Sequence, residues 1–390
     1  MDRLIYLLSQ NPYMLITLVV IVSFFASRQA YRIIHFIGIS KRLFASPNSR
    51  SSHSTPVPQF GGVGLYFATC MTSSVFIALL VFNNFEGFYD TIDKPGSVLA
   101  FISGLTLIFY TGLVDDLIDM KARLKCLFQL VSIAIIIIPI NGYIDVFYGI
   151  FGTETLPMAT AIPFTFFVYL LIINSFNLID GIDGLASSIG ILVSLFFGIY
   201  FAWIGRFDLV VLNFSLFGAL AGFLISNFSK TKKLFLGDSG SMVVGLCIAF
   251  QTVQFLTLSP LFETSSSINH GPVYILGLLA YPLIDVMRVI ISRLLRKKSP
   301  FLPDRNHIHH KLIDLGLTHV QATCLILVYT LFLVLVTYLT SGLNIHAHIL
   351  VMAALALGLA LTPVKIHKTK FNSKASVKSF KKKPNVLKAS

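Results

Sequence analysis

Residues 157–204 read PMATAIPFTFFVYLLIINSFNLIDGIDGLASSIGILVSLFFGIYFAWI. Two apolar runs, 157–175 and 186–204, flank a stretch dense in Asn, Asp and Gly. Each run approaches the ~20 residues that a helix needs to cross the hydrocarbon layer. Polar and ionisable residues beside such runs are costly, and they mark function more often than packing. The stretch therefore reads as two membrane spans joined by a short polar turn.

Nine further runs of the same kind lie outside it: 13–35, 61–82, 96–114, 126–140, 210–226, 242–260, 272–292, 321–340 and 345–363. The expected fold is all-α, a polytopic integral membrane protein of about 11 transmembrane helices. Composition agrees: of 390 residues, 55% are hydrophobic and 12% charged, against about 25% charge in a soluble domain. The mean hydropathy is +0.80. The first run ends at Arg28 and Arg32 without a small-residue cleavage pattern, so it reads as a retained span rather than a signal peptide. Cys70, Cys126, Cys247 and Cys324 sit in or beside apolar runs without CxxC spacing, as small hydrophobes.

Eleven spans make the loops alternate between two sides. On that count 27 of the 30 Lys and Arg fall on one side, and only Arg3, Lys94 and Arg206 on the other. Basic loops stay in the cytoplasm, so the N-terminus is expected outside and the C-terminus inside. The chain divides into a membrane domain, 1–364, and a Lys- and Ser-rich tail, 365–390, for which composition predicts no regular structure. The net charge of +13 belongs to one membrane face and to anionic lipid headgroups. Nucleic acid is not an expected partner, since the tail carries no aromatic or motif support.

Five polar segments gather on the basic side. The first runs from Arg50 through His53 to Gly61-Gly62; its Arg and His are placed to meet phosphate, and an ordinary basic loop is the alternative. The second is Asp115-Asp116-Leu-Ile-Asp119, followed by Arg123 and Lys125. Adjacent carboxylates repel, and a cation relieves them; magnesium favours one or two carboxylates plus substrate phosphates. An acidic helix end paired with Arg123 and Lys125 is the other reading. The third is Asn174-Ser-Phe-Asn177-Leu-Ile-Asp180-Gly-Ile-Asp183-Gly184, polar at every third position, with a local Asn/Asp/Gly turn as its alternative. The fourth is Gly237-Asp238-Ser239-Gly240-Ser241, a metal ligand in an anion-friendly loop, a helix N-cap, or both. The fifth is Asp304-Arg305-Asn306-His307-Ile308-His309-His310-Lys311, whose imidazoles suit a diphosphate better than zinc, because no Cys or Glu stands at ligand spacing. A site at one rim fits a diphosphate, Mg²⁺ and a lipid-borne reactant. It fits a transporter less well, because transport sites lie near the midplane.

Together and in this order, these segments resemble the polyprenyl-phosphate N-acetylhexosamine-1-phosphate transferase family (glycosyltransferase family 4). The HIHH pattern looks like the bacterial undecaprenyl-phosphate N-acetylglucosamine-1-phosphate transferases within it. The resemblance runs from about Arg50 to Lys311. It implies transfer of N-acetylhexosamine 1-phosphate from a UDP-sugar to undecaprenyl phosphate, with release of UMP, at the start of cell-surface polysaccharide synthesis. It implies Mg²⁺, with Mn²⁺ as a substitute, and a multi-pass protein of the bacterial inner membrane with its active site on the cytoplasmic face. By the same resemblance Asp115 and Asp116 are catalytic, and Asp238 and Asn177 hold the metal. Lys125, Asn174, Asp180, Asp183, Arg305, His307, His309 and His310 join Arg50 and His53 in binding substrate. A homodimer is left open. The competing readings are a transporter of a small anionic solute and a non-catalytic nucleotide-sugar-binding relative.

Overall fold

In lipid the backbone must satisfy its own hydrogen bonds, so apolar runs of spanning length fold as helices. The computed structural model describes residues 11–41, 57–82, 96–261, 270–297, 299 and 306–380. Its helices are α1 (Pro12–Ser40), α2 (Gly61–Phe82), α3 (Gly96–Ile118), α4 (Ala122–Ile137), α5 (Met158–Ile179), α6 (Leu185–Trp203), α7 (Phe207–Asn227), α8 (Gly237–Leu258), α9 (Gly271–Leu278), α10 (Ala280–Leu295), α11 (Ile308–Asp314), α12 (His319–Leu339) and α13 (Ile345–Phe380). The protein is a multi-pass, all-α membrane protein.

Among the described residues, nine helices are long and apolar enough to span: α1, α2, α3, α5, α6, α7, α8, α12 and α13. Helices α9 and α10 pass the same test only together, bent by 75°, which makes ten if the pair is one broken span rather than a re-entrant loop. Pro282 stands in the first turn of α10. A proline ring clashes with the carbonyl four residues back and lacks an N–H, so a straight helix through Leu278 is excluded. The eleventh expected span, 126–140, is α4. It has 16 residues, about 24 Å of helix, short of the ~30 Å hydrocarbon thickness.

Helix α8 is the axis of the bundle, with α2, α3 and α5 packed against it. Its most apolar window is 83% buried, against 17% for α13. Uniform apolarity thus has two outcomes here: α8 is wrapped by protein, whereas α13 is left largely uncovered by the rest of the chain.

The loop 141–156 contains an antiparallel hairpin of β1 (Val146–Ile150) and β2 (Thr153–Thr155). The Tyr148 hydroxyl fastens it by donating to the Leu256 carbonyl at 2.6 Å. At the other end of the bundle α13 runs past residue 364 to Phe380, into a segment whose composition predicted no regular structure. Two contacts with the α11 region hold that extension: His367 Nε2 with Asp314 Oδ2 at 3.2 Å, and Lys370 Nζ donating to the Leu315 carbonyl at 3.4 Å.

Candidate active site

The site begins where α3 ends against the start of α8. A helix N-terminus presents unpaired N–H groups and a positive dipole end. Asp116 answers both. Its carboxylate accepts from Asp238 N at 2.8 Å, Ser239 N at 3.0 Å and Ser239 Oγ at 2.7 Å. Gln59 Nε2 donates to the Asp116 carbonyl at 2.7 Å, tying down the chain before α2. Gly237, at φ +73°, has no room for a side chain: a Cβ would lie 2.7 Å from Asp116 Oδ2. Both oxygens of Asp116 are therefore committed to holding the end of α8.

Its neighbour Asp115 faces a different partner. Asp119, at φ +53°, turns the chain between α3 and α4, and Asp is among the residues that tolerate this conformation. The turn carries Lys125 back over Asp115. Lys125 Nζ donates to Asp115 Oδ2 at 2.7 Å, to Asn177 Oδ1 at 3.3 Å, and to Asp238 Oδ2. Asn177 Nδ2 donates to Asp238 Oδ1 and to Ser241 Oγ, both at 2.9 Å. Met120 N fixes the other Asp115 oxygen at 2.6 Å. Two carboxylates, an amide and one ammonium, separated by up to 123 residues of sequence, thus meet at one point. The Asp238 side chain is 36% exposed there.

The donor set fits magnesium. It offers hard oxygens from two carboxylates and an amide, and leaves room for substrate phosphate. It is no closed cage: among the described residues no three His, Cys, Asp or Glu side chains are grouped to hold a metal. Asp115, Asp238 and Asn177 are the residues that would hold such an ion, whereas Asp116 is turned away.

The remaining polar residues of 174–184 divide by role. Asn174 Nδ2 donates to Gln129 Oε1 at 3.0 Å, so it braces α5 against α4. Asp180 ends α5 half-buried, with no hydrogen bond or ion pair to any described residue. Burial, and then the charges of Asp238, Asp116 and Asp183, push its pKa well above the carboxylate range. Asp183 is an anchor: Lys233 Nζ donates to its Oδ2 at 2.7 Å, and His319 Nδ1 lies 2.9 Å away. Asn227 clamps the same turn, accepting from Gly184 N at 2.6 Å and donating to the Leu234 carbonyl at 2.8 Å.

The histidines form a second cluster around Asp285, which is 0% exposed. His307 Nδ1 sits 2.9 Å from Asp285 Oδ2, and Ile308 N donates to Oδ1 at 2.9 Å. Arg288 donates to Oδ1 at 3.0 Å and also to the Asn306 carbonyl. His309 is buried, with Nδ1 at 3.1 Å from the Tyr281 hydroxyl. Its Nε2 faces Gly181, where a Cβ would lie 2.4 Å away. Burial drives the His309 pKa well below its ordinary value; Asp285 opposes the shift, and His310, His307 and His319 add to it. His307 and His309 thus pack into the protein interior, and the His310 ring lies tilted against His309 at 4.3 Å between ring centroids.

Arg50, His53 and Arg305 lie outside the described residues. Sequence reading missed Gln59, Ser239 and Ser241 as partners of the carboxylates, although both serines belong to the GDSGS motif. It assigned no role to Gln129 or His319, and His319 gives no local signal.

A multi-pass membrane protein with an oxygen-lined charged site at one end of its bundle is the class that fold and site define. The sequence model of the family described as glycosyl transferase family 4 matches residues 98–256, which include Asp115, Lys125, Asn177 and Asp238. Over that stretch the chain is similar to that family. It is 28% identical over 293 residues to an undecaprenyl-phosphate alpha-N-acetylglucosaminyl 1-phosphate transferase of Escherichia coli O157:H7, covering 73% of this chain and 72% of the relative. It is 28% identical over 306 residues to a decaprenyl-phosphate N-acetylglucosaminephosphotransferase of Mycolicibacterium smegmatis, covering 72% and 71%. The corresponding Mycobacterium leprae protein is 27% identical over 308 residues, covering 72% and 73%.

Proposed function

We propose that this protein transfers N-acetylhexosamine 1-phosphate, with N-acetylglucosamine as the preferred sugar, from a UDP-sugar to undecaprenyl phosphate. UMP is the leaving group and a lipid diphosphate-sugar the product. The reading places the site on the cytoplasmic face of the bacterial inner membrane, at the first membrane step of a cell-surface polysaccharide. One observation carries it: Asp115, Asn177, Asp238 and Lys125 converge on one point at the end of the bundle.

In the proposed step a phosphate oxygen of the lipid attacks the sugar-bearing phosphorus of the UDP-sugar. The bond from that phosphorus to the UMP oxygen breaks, and the electron pair leaves with UMP. The lipid phosphate is already an anion near neutral pH, so positioning and charge neutralisation dominate. Asp115 orients the incoming phosphate and accepts its remaining proton where it carries one. Lys125 is the cation nearest both carboxylates and offsets phosphate charge. Asn177 holds Asp238 in place. A bound Mg²⁺ would supply charge neutralisation to the diphosphate as UMP departs. Asp116 keeps the start of α8 docked, so that Asp238 stays in register.

The test is direct. Purified protein, undecaprenyl phosphate, Mg²⁺ and a panel of UDP-N-acetylhexosamines are expected to yield UMP and a lipid-linked sugar seen by mass spectrometry. No turnover with any member of the panel would overturn the reading.

A further inference from the structure

We infer that the Lys125 ammonium and a divalent cation compete for one position at the rim, so that Lys125 sets how tightly the ion is held. The inference rests on the proposed metal-assisted reading of the site. Asp115 Oδ2, Asn177 Oδ1 and Asp238 Oδ2 all accept from the same Nζ. An ammonium has three donors and no acceptor, so these three oxygens saturate it. They are also the oxygens that a hard divalent ion would take.

Every carboxylate oxygen of Asp115, Asp116 and Asp238 already has a donor. Asp115 Oδ1 is held by Met120 N, and Asp238 Oδ1 by Asn177 Nδ2. Both Asp116 oxygens are held by the start of α8. An ion seated between Asp115, Asn177 and Asp238 takes the space that one of these donors now fills. The backbone N–H groups are fixed by their helices and turns. Lys125 sits on a flexible four-carbon stem, and two cations repel at such range. The ammonium is therefore the group that yields, and its side chain is 14% exposed, so it has a route outward.

Mn²⁺ serves as the probe, with the full-length protein in detergent and free ion read by electron paramagnetic resonance. Lys125→Met is expected to bind Mn²⁺ at least tenfold more tightly than the parent. Lys125→Arg, which keeps the charge, is expected to stay near the parent. Adding Asp238→Asn to Lys125→Met is expected to erase the gain, which locates the ion at the rim. Affinity unchanged or weakened in Lys125→Met, or no Mn²⁺ binding in any variant, would overturn the inference. A measurement on the parent protein guards against a misfolded variant. Acylation of Lys125 by an amine reagent, followed by peptide mass spectrometry, is expected to rise at least threefold with saturating Mn²⁺; a fall or no change also overturns the inference. None of these readouts uses turnover. Failure of the UDP-sugar panel with a preserved Mn²⁺ response would strike the proposed function alone.

Discussion

Two carboxylate clusters in this protein begin from similar chemistry and end as opposites. At the rim, Asp115 and Asp238 share one lysine, the Asn177 amide donates to Asp238, and Asp238 remains 36% exposed. Around Asp285, the carboxylate is 0% exposed and filled by His307, Ile308 N and Arg288. A buried charge must be paired and hydrogen-bonded from all sides, or it costs several kcal/mol. Asp285 meets that demand with His307, Ile308 N and Arg288, which makes it a fastener between α10 and the start of α11. The rim adds to Met120 N and Asn177 one ammonium on a flexible stem, the group we infer to be exchangeable. The difference lies in who completes the shell: the protein itself, or a ligand in the end.

The largest expected effect tests the open half. Asp238→Ala should lower UMP release by at least ~10²–10³-fold, the range for removing one preorganised electrostatic group, while the protein stays monodisperse. A near-normal rate would break the comparison, because the rim would then be as structural as the second cluster. Asp285→Ala should do the reverse. It strands two buried donors and leaves Arg288 without its carboxylate, at a cost of about 3 kcal/mol, visible as a lower melting temperature. Its kinetic signature should be a raised KM for the UDP-sugar with a smaller change in kcat. Loss of kcat at full stability would place Asp285 with the chemistry instead. Asp116 sharpens the line between the two. Asp116→Ala removes the acceptor for three donors at the start of α8 and should cost about 1–2 kcal/mol, as for a lost helix cap. Asp116→Asn retains one carbonyl acceptor and should cost less.

What was legible in the sequence follows the same division. Spans were legible because length and apolarity alone decide them, and ten of the eleven appear as long helices or one bent pair. The shortness of α4 was visible in the length of its apolar run; the bend at Leu279 was not, although Pro282 was the available signal. The convergence of Asp115, Lys125, Asn177 and Asp238 was legible as a grouping of motifs. The division of labour between Asp115 and Asp116 was not. Adjacent side chains look alike in sequence, and only the position of α8, more than 120 residues later, decides which one caps it. The histidines read as a ligand-facing cluster because Arg305 and Lys311 flank them. Their burial depends on Asp285, some twenty residues upstream on a different helix, and no local pattern announces that pairing.

The smallest expected effect probes the closed cluster through pH. His309 is buried as a neutral ring, with its pKa pushed well below the ordinary value. The unfolded chain, with an ordinary pKa of about 6.5, binds the proton more readily than the folded one. Stability from this group is therefore complete above pH ~6.5 and falls as pH drops below it, by at most about 1.4 kcal/mol per pH unit for one proton. Asp285 lies 3.9 Å from His309 Nδ1 and weakens the effect; His307, His310 and His319 strengthen it. The melting temperature should decline between pH 7 and pH 5.5, and His309→Gln should flatten that decline. An identical slope in the variant would mean that another group carries the acid sensitivity, and that the Asp285 cluster tolerates a charged ring as readily as the rim tolerates its ammonium.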